Sequence, residues 1–235
     1  MTSATSPTMV QIESPVALAE ALAEAISKRL VDAINTQGEA SLVVSGGSTP
    51  KPLFEALRKT DLDWSKVTVT LADERWVPES DGDSNAAFVK NTLLQEKASA
   101  ANFISLFVDG ATPEEGVSQV HTRLQAIAQP FTVLVLGMGG DGHTASLFPD
   151  APGTAEAMVE TDSLVSIVKP TTVPQARITL TLPALMNTPC QLLHITGAEK
   201  RALLDGVLEN PSASSYPIAK FLQPDNERIS VYTTH

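Results

Sequence analysis

The sequence predicts an α/β fold with a mostly parallel sheet covered by helices on both faces. Short apolar, strand-like runs alternate with amphipathic helical stretches along the chain, the pattern of strands joined by crossover helices. A chain of 235 residues that is 43% hydrophobic and 18% charged can bury one sizeable core. It also lacks an internal repeat, a low-complexity tract or a clear linker, and the Pro/Gly/Ala segment 149–157 reads as a surface loop. Residues 1–235 are therefore expected to form one domain.

Each element has a local reason. Ser14-Pro15 opens a helix by N-cap and N1 chemistry, Leu18, Leu22, Ile26, Leu30 and Ile34 form its apolar stripe, and Gly38 stops it. SLVVS (41–45) reads as a buried strand, and Thr49-Pro50 as the start of a helix carrying Leu53, Phe54 and Leu57. VTVTLAD (67–73) is the next strand, followed by the polar loop ERWVPESDGDSN and a helix over about 85–95. FISLF (103–107) reads as a short strand. Thr112-Pro-Glu-Glu115 is a capping box for a helix with Val117, Val120, Leu124 and Ile127 inward. Strands follow at FTVLVL (131–136), near 164–168 and at 177–182. QLLHIT (191–196) precedes a helix begun by a second capping-box pattern, Thr196-Gly-Ala-Glu199, and RISVY (228–232) is the last strand.

Composition narrows the function. A formal charge of -11 argues against broad binding to nucleic acid or to an anionic membrane, both of which need clustered Lys and Arg. An anionic small substrate would need the few basic residues gathered at one place. The single cysteine, Cys190, excludes an internal disulfide, shows no metal-finger spacing, and reads as a small buried residue at a strand start. The N-terminal residues lack the basic-then-apolar order of a signal peptide, and the apolar runs fall short of the roughly 20 residues that span a bilayer. A cytoplasmic protein is expected.

Gly137-Met-Gly139-Gly140-Asp141-Gly142 matches the dinucleotide fingerprint G-x-G-x-x-G letter for letter. That fingerprint needs its third glycine inside a helix packed on the sheet, and it usually sits on the first strand. Here the continuation is HTASLFPDAPG, where Pro149 and Pro152 leave room for barely two helical turns. No nicotinamide or flavin cofactor is expected, and the glycines need another purpose.

Ligands of open parallel sheets bind beyond the carboxyl ends of strands. Three polar loops leave such ends, and they would converge if their strands are parallel neighbours. In Ser45-Gly46-Gly47-Ser48-Thr49 the glycines admit close backbone approach, the hydroxyls add donors, and the helix from Pro50 aims its N-terminus at the same place, which suits an anion. The same residues also read as a plain Gly-Gly turn with Thr49 as an ordinary N-cap. No P-loop pattern is present. Asp73, Glu74 and Arg75 follow a buried strand, as site residues or as a local salt bridge. Glu79, Asp81 and Asp83 lack the glycine and distal glutamate of a calcium loop. In the third loop, His143 follows three glycines and an aspartate, so its ring can face a crevice while Asp141 or a carbonyl fixes its tautomer, as suits a general base acting on water. His121, His194 and His235 read as structural or incidental. No second His or Cys stands at zinc spacing, and Ser146, outside any G-x-S-x-G elbow, reads as helical packing.

SGGSTPKPLFEAL, LADERWVPESDGDSN and LVLGMGGDGHTASLFP resemble, in order, the three signature segments of the 6-phosphogluconolactonase family. RITLTLPAL and TGAEKRALL resemble its fourth and fifth blocks, so the resemblance spans about residues 41 to 205. It implies a Rossmann-like three-layer α/β/α domain without a nucleotide, shared with glucosamine-6-phosphate deaminases and ribose-5-phosphate isomerases. It implies hydrolysis of 6-phospho-D-glucono-1,5-lactone in the oxidative pentose phosphate pathway, with no cofactor or metal, by a monomer or homodimer. It adds Arg177 and Lys200 as phosphate ligands, which by themselves read as solvated. Under this reading His143 is the base and then the acid toward the ring oxygen. Arg75 is the candidate oxyanion or hydroxyl ligand, and Asp73 or Asp141 orients the groups around it. A sugar-phosphate isomerase/deaminase is the first rival, but its glycine-rich block continues with an acidic residue where this chain has Thr144-Ala-Ser-Leu-Phe. A non-catalytic sugar-phosphate sensor is the second, but such regulators carry a helix-turn-helix that this chain lacks.

Overall fold

The computed structural model describes residues 7–159 and 161–234. In chain order the elements are β1 (Thr8–Ile12), α1 (Pro15–Gln37), β2 (Ala40–Val44), α2 (Lys51–Leu57), β3 (Val67–Leu71), β4 (Asp73–Arg75), α3 (Asn85–Thr92), β5 (Asn102–Ile104), α4 (Pro113–Gln125), β6 (Val133–Leu136), α5 (Thr154–Met158), β7 (Val165–Val168), β8 (Arg177–Leu180), α6 (Leu182–Met186), β9 (Cys190–Ile195), α7 (Ala198–Glu209) and β10 (Ile229–Thr234). Seven strands form one parallel sheet in the order β1-β10-β9-β6-β2-β3-β5, with helices on both sides. A second, antiparallel sheet has the order β4-β8-β7. The expected α/β architecture and its mostly parallel sheet are therefore present.

The local chemistry holds where it was strongest. Ser14 accepts from the Ala17 N–H as N-cap of α1, and Gly38 closes it with φ 86° and an N–H to Ile34 O. Leu18, Leu22, Ile26 and Leu30 are fully buried, and Ile34 packs at the core margin. Thr112 and Glu115 form the reciprocal capping box of α4.

Elsewhere packing shifts the boundaries. The strand expected over 67–73 breaks after Leu71. The Ala72 N–H still donates to Val44 O, but Ala72 O accepts from Leu180, so Asp73 to Arg75 continue in the other sheet as β4. Thr49 does not cap α2, which starts at Lys51 after Pro50 with no side-chain cap. The pattern Thr196–Glu199 forms no capping box, because Gly197 at φ 95° turns the chain and caps α7 without a side chain. The helix expected over 85–95 ends at Thr92, and a 3₁₀ turn follows at Glu96–Ala100. The strand at 103–107 is only Asn102–Ile104. β1, α5 and α6 had no expected counterpart. Cys190 starts β9 as expected but is only half-buried, and burial raises its thiol pKa.

The segment after β4 is anchored on α4. Trp76 donates through Nε1 to Ala111 O at 3.0 Å and meets Phe107 edge-on at 5.2 Å between centroids. Its indole lies over Gly116 so closely that a Cβ there would overlap the ring. Gly to Ala in a helix interior ordinarily stabilises by about 0.5–1 kcal/mol. Gly116→Ala should instead destabilise by roughly 1–3 kcal/mol through overpacking and change the tryptophan emission. Urea titration followed by fluorescence checks this, and a gain in stability would show that Trp76 is free to move.

Candidate active site

The parallel sheet reverses its winding between β2 and β6: β2, β3 and β5 proceed one way, while β6, β9 and β10 lie on the other side of β2. Such a switch point opens a crevice beyond the strands' carboxyl ends. Here it measures about 390 Å³ and receives all three loops of interest.

The first loop is tied across the switch. Ser45 donates from its N–H at 3.1 Å and its Oγ at 3.2 Å to Val135 O on β6. Gly46 is needed for space, since a Cβ would overlap the Asn85 amide, which donates to Asp73 O at 2.9 Å. Gly47 is needed for conformation: φ is +92°, and no protein atom lies where its Cβ would stand. Ser48 and Thr49 complete this wall of the crevice.

The second loop is a short strand rather than a coil. Asp73 is buried, and its Oδ2 accepts from Ser146 Oγ at 2.5 Å. Glu74 is fully buried and faces away from the crevice. Its two oxygens accept from the N–H groups of Arg75 (2.7 Å), Asn85 (2.8 Å) and Ala86 (2.7 Å) and from Ser84 Oγ (3.2 Å). Burial outweighs these donors and pushes the Glu74 pKa up to about 7. Arg75 makes no ion pair with either acid: its guanidinium donates to Asp83 O, and the local salt bridge that the sequence allowed is absent among the described residues.

The third loop explains the glycines. Gly139 N–H donates to His143 O at 2.9 Å and Gly142 N–H to Gly139 O at 3.1 Å, which curls the loop back on itself. A Cβ at Gly139 would overlap both the His143 ring and the Asp141 carboxylate. In that space His143 Nδ1 meets Asp141 Oδ1 at 2.5 Å, while Phe148 lies against the ring at 4.3 Å between centroids. Burial works to raise the Asp141 pKa, but the charge and hydrogen bonds of His143 outweigh it and hold the carboxylate below its ordinary range. With Nδ1 committed to Asp141, the other ring nitrogen is left for chemistry. No helix follows within residues 143–152, so the support a pyrophosphate needs is missing.

Across the crevice Arg75 and Arg177 stand directly opposite each other in the β4–β8 register. Facing like charges destabilise a strand pair. Arg177 is buried, donates to Gln175 O at 3.1 Å and joins no ion pair among the described residues. Burial first, and then the charge of Arg75, lower its pKa. Lys200, in the first turn of α7, lines the same space. An acidic chain has thus gathered three cations at one crevice.

A model for glucosamine-6-phosphate isomerases/6-phosphogluconolactonase matches residues 13–231. The chain belongs to this family. A 6-phosphogluconolactonase of Pseudomonas aeruginosa is 44% identical over 207 residues, covering 87% of each chain. The crystal structure of a 6-phosphogluconolactonase from Shewanella baltica superposes with a TM-score of 0.94 at 38% identity, covering 97% of this chain and 98% of that one. A monomeric glucosamine-6-phosphate deaminase shares the fold, with a TM-score of 0.80 at 14% identity.

Within this family frame, Ser45 to Thr49, Asp73, Arg75, His143, Arg177 and Lys200 all line one crevice, and Asp141 joins it through His143. Arg177 and Lys200 read as solvated from the sequence alone, yet Arg177 is buried. Ser146 is not on a helix; it is the buried partner of Asp73. Asn85 and Phe148 went unassigned, and His194, which the sequence reads as structural, lines the crevice. Asn85 had a signal, following the N-cap Ser84 at a helix start, whereas nothing local distinguishes His194 from a core residue of β9.

Gly139→Ala should fold yet lower kcat by at least about tenfold, because its methyl displaces His143 from Asp141; circular dichroism beside steady-state kinetics separates the two effects. Glu74 carries a pH signature. Its folded pKa of about 7 exceeds the ordinary 4.5. Its favourable contribution is therefore full below about pH 4.5 and is lost as pH rises through 7. Glu74→Gln should be less stable than the parent at pH 5, since an amide nitrogen accepts no hydrogen bond, whereas the hydroxyl oxygen of the protonated acid still does. The gap should narrow by on the order of 1–3 kcal/mol by pH 8. A gap that stays constant in denaturation at both pH values would show that Glu74 remains ionised throughout.

Proposed function

We propose that this chain hydrolyses 6-phospho-D-glucono-1,5-lactone to 6-phospho-D-gluconate, a step of the oxidative pentose phosphate pathway, with His143 as general base. The observation that carries this reading is the Asp141–His143 pair opening onto the same crevice as the facing arginines Arg75 and Arg177. The names of the relatives support the same reaction class. Residues 1–235 then act as one catalytic domain.

The roles follow from the chemistry. A phosphate bound by Arg177, Lys200 and the 45–49 loop relieves the unpaired positive charge and sets the lactone with its carbonyl toward His143. Asp141 holds the Nδ1–H tautomer, so Nε2 takes a proton from water as the oxygen attacks the carbonyl carbon. Arg75 stabilises the oxyanion that forms. When the carbonyl is restored, the bond from C1 to the ring oxygen breaks and His143 returns the proton to that oxygen, leaving an open-chain acid. Asp73, fixed by Ser146, orients hydroxyls or Arg75 from the buried side. A lactone is an activated ester, so a base worth about 10²–10⁴ and one oxyanion donor worth about 10²–10³ suffice without a covalent nucleophile. No helix among the described residues is long and apolar enough to cross a membrane.

The test follows acid release from freshly prepared phosphogluconolactone against its spontaneous rate, with no metal or nucleotide added. The parent should accelerate hydrolysis, and His143→Ala should lower kcat at least about 10²-fold while still binding product. A folded His143→Ala protein with near-normal turnover would remove His143 from the mechanism, and a parent with no acceleration would remove the reaction itself.

A further inference from the structure

We propose that His194 is a further ligand of the substrate's phosphate, its ring hydrogen-bonding an oxygen of the group that Arg177 and Lys200 hold. The proposal rests on the phosphate reading above and adds to it a neutral donor. His194 is the penultimate residue of β9. Its neighbour Leu193 pairs with Leu136, the last residue of β6, so His194 stands level with Gly137 where the glycine-rich loop begins. It is only 4% exposed, yet it lines the crevice together with Lys200.

The ring is unlike that of a core histidine. Its Nδ1 is buried and has no hydrogen-bond partner among the described residues. By contrast His121, which is half-buried, accepts the Leu164 N–H at 3.1 Å. A buried polar atom without a partner destabilises the empty protein, because water has been lost and nothing replaces it. A site that retains such an atom beside a binding crevice has a use for it in the bound state. Burial, and then the charge of Lys200, push the His194 pKa down to about 4, so the free protein holds a neutral imidazole with one N–H and one lone pair.

Phosphate suits this position. Its several oxygens can accept a donor beyond those of Arg177, Lys200 and the 45–49 loop, and a further cation would add repulsion to the Arg75–Arg177 opposition. A neutral imidazole supplies the donor without the charge. A bound dianion also favours protonation of the ring, so the two ring nitrogens should respond directly to its arrival.

The experiment compares phosphorylated with unphosphorylated gluconolactone for His194→Leu, His194→Gln and Arg177→Ala. His194→Leu should raise KM for the phosphorylated lactone about tenfold with little change in kcat, as loss of one hydrogen bond would. It should leave the unphosphorylated substrate unaffected, and the free variant should melt no lower than the parent because an unpartnered polar atom is gone. His194→Gln, which keeps an N–H, should recover part of the KM. If Arg177→Ala is selective for the phosphorylated substrate and His194→Leu is not, the proposal fails while the phosphate reading stands. If neither is selective, the phosphate reading falls and takes this one with it. Should His194→Leu not fold, ¹⁵N-histidine NMR of the parent decides: the His194 ring signals must move on saturation with 6-phosphogluconate, and unmoved signals overturn the proposal.

Discussion

The buried carboxylate of Glu74 is the interaction on which the site depends. It gathers the N–H groups at the start of α3 and the N–H of Arg75 around one acceptor pair. Those bonds fix Asn85, whose amide reaches Asp73 O and fills the space that Gly46 leaves open. They also set the direction of β4, so that Asp73 and Arg75 face the crevice while Glu74 faces away from it. A carboxylate buried to this degree is costly alone, and the donors around it hold the cost to a level the fold can bear. The first and second loops are thereby coupled to one hub that never touches the crevice.

Charge distribution explains why a protein of formal charge -11 can hold a phosphorylated substrate. Among the described residues, Arg75, Arg177 and Lys200 at the crevice are left out of the surface ion pairs, which use Arg58, Lys66, Lys90, Lys97, Lys169 and Arg201 instead. Arg75 and Arg177 face each other and neither joins an ion pair among the described residues, an arrangement unfavourable in the empty protein and favourable once an anion arrives. The glycine-rich loop plays the complementary part. Its glycines make room for a side-chain dyad, with Gly139 vacating the volume that His143 and Asp141 occupy. This is why a nucleotide-like letter pattern accompanies a site without a nucleotide helix.

Much of the fold was legible because it rests on short-range chemistry. The Ser14 cap, the Gly38 stop, the Thr112–Glu115 box and the apolar stripe of α1 each follow from side chains within a few residues of one another, and they formed as expected. The candidate loops were legible for a related reason: polar, glycine-rich segments directly after apolar strands lie where an open sheet binds ligands. Ser45 to Thr49, Asp73, Arg75, Asp141 and His143 could be picked out by position and chemistry before any packing was known.

What only the tertiary structure decided depends on residues far apart in the chain. The sequence cannot indicate that the strand after Leu71 leaves for a second sheet, because Ala72 is diverted by Leu180, more than a hundred residues on. Long separation in the chain likewise hid the opposition of Arg75 and Arg177, and the bond from Ser146 to Asp73. The Thr196–Glu199 pattern was locally sound but lost to the turn that Gly197 makes in placing Lys200 at the crevice. His194 illustrates the limit: its neighbours in sequence are those of a core strand, and only the alignment of β9 with β6 brings it level with the glycine-rich loop. Local side-chain chemistry determined which elements form and which loops carry reactive groups. Long-range backbone pairing decided which of those groups meet.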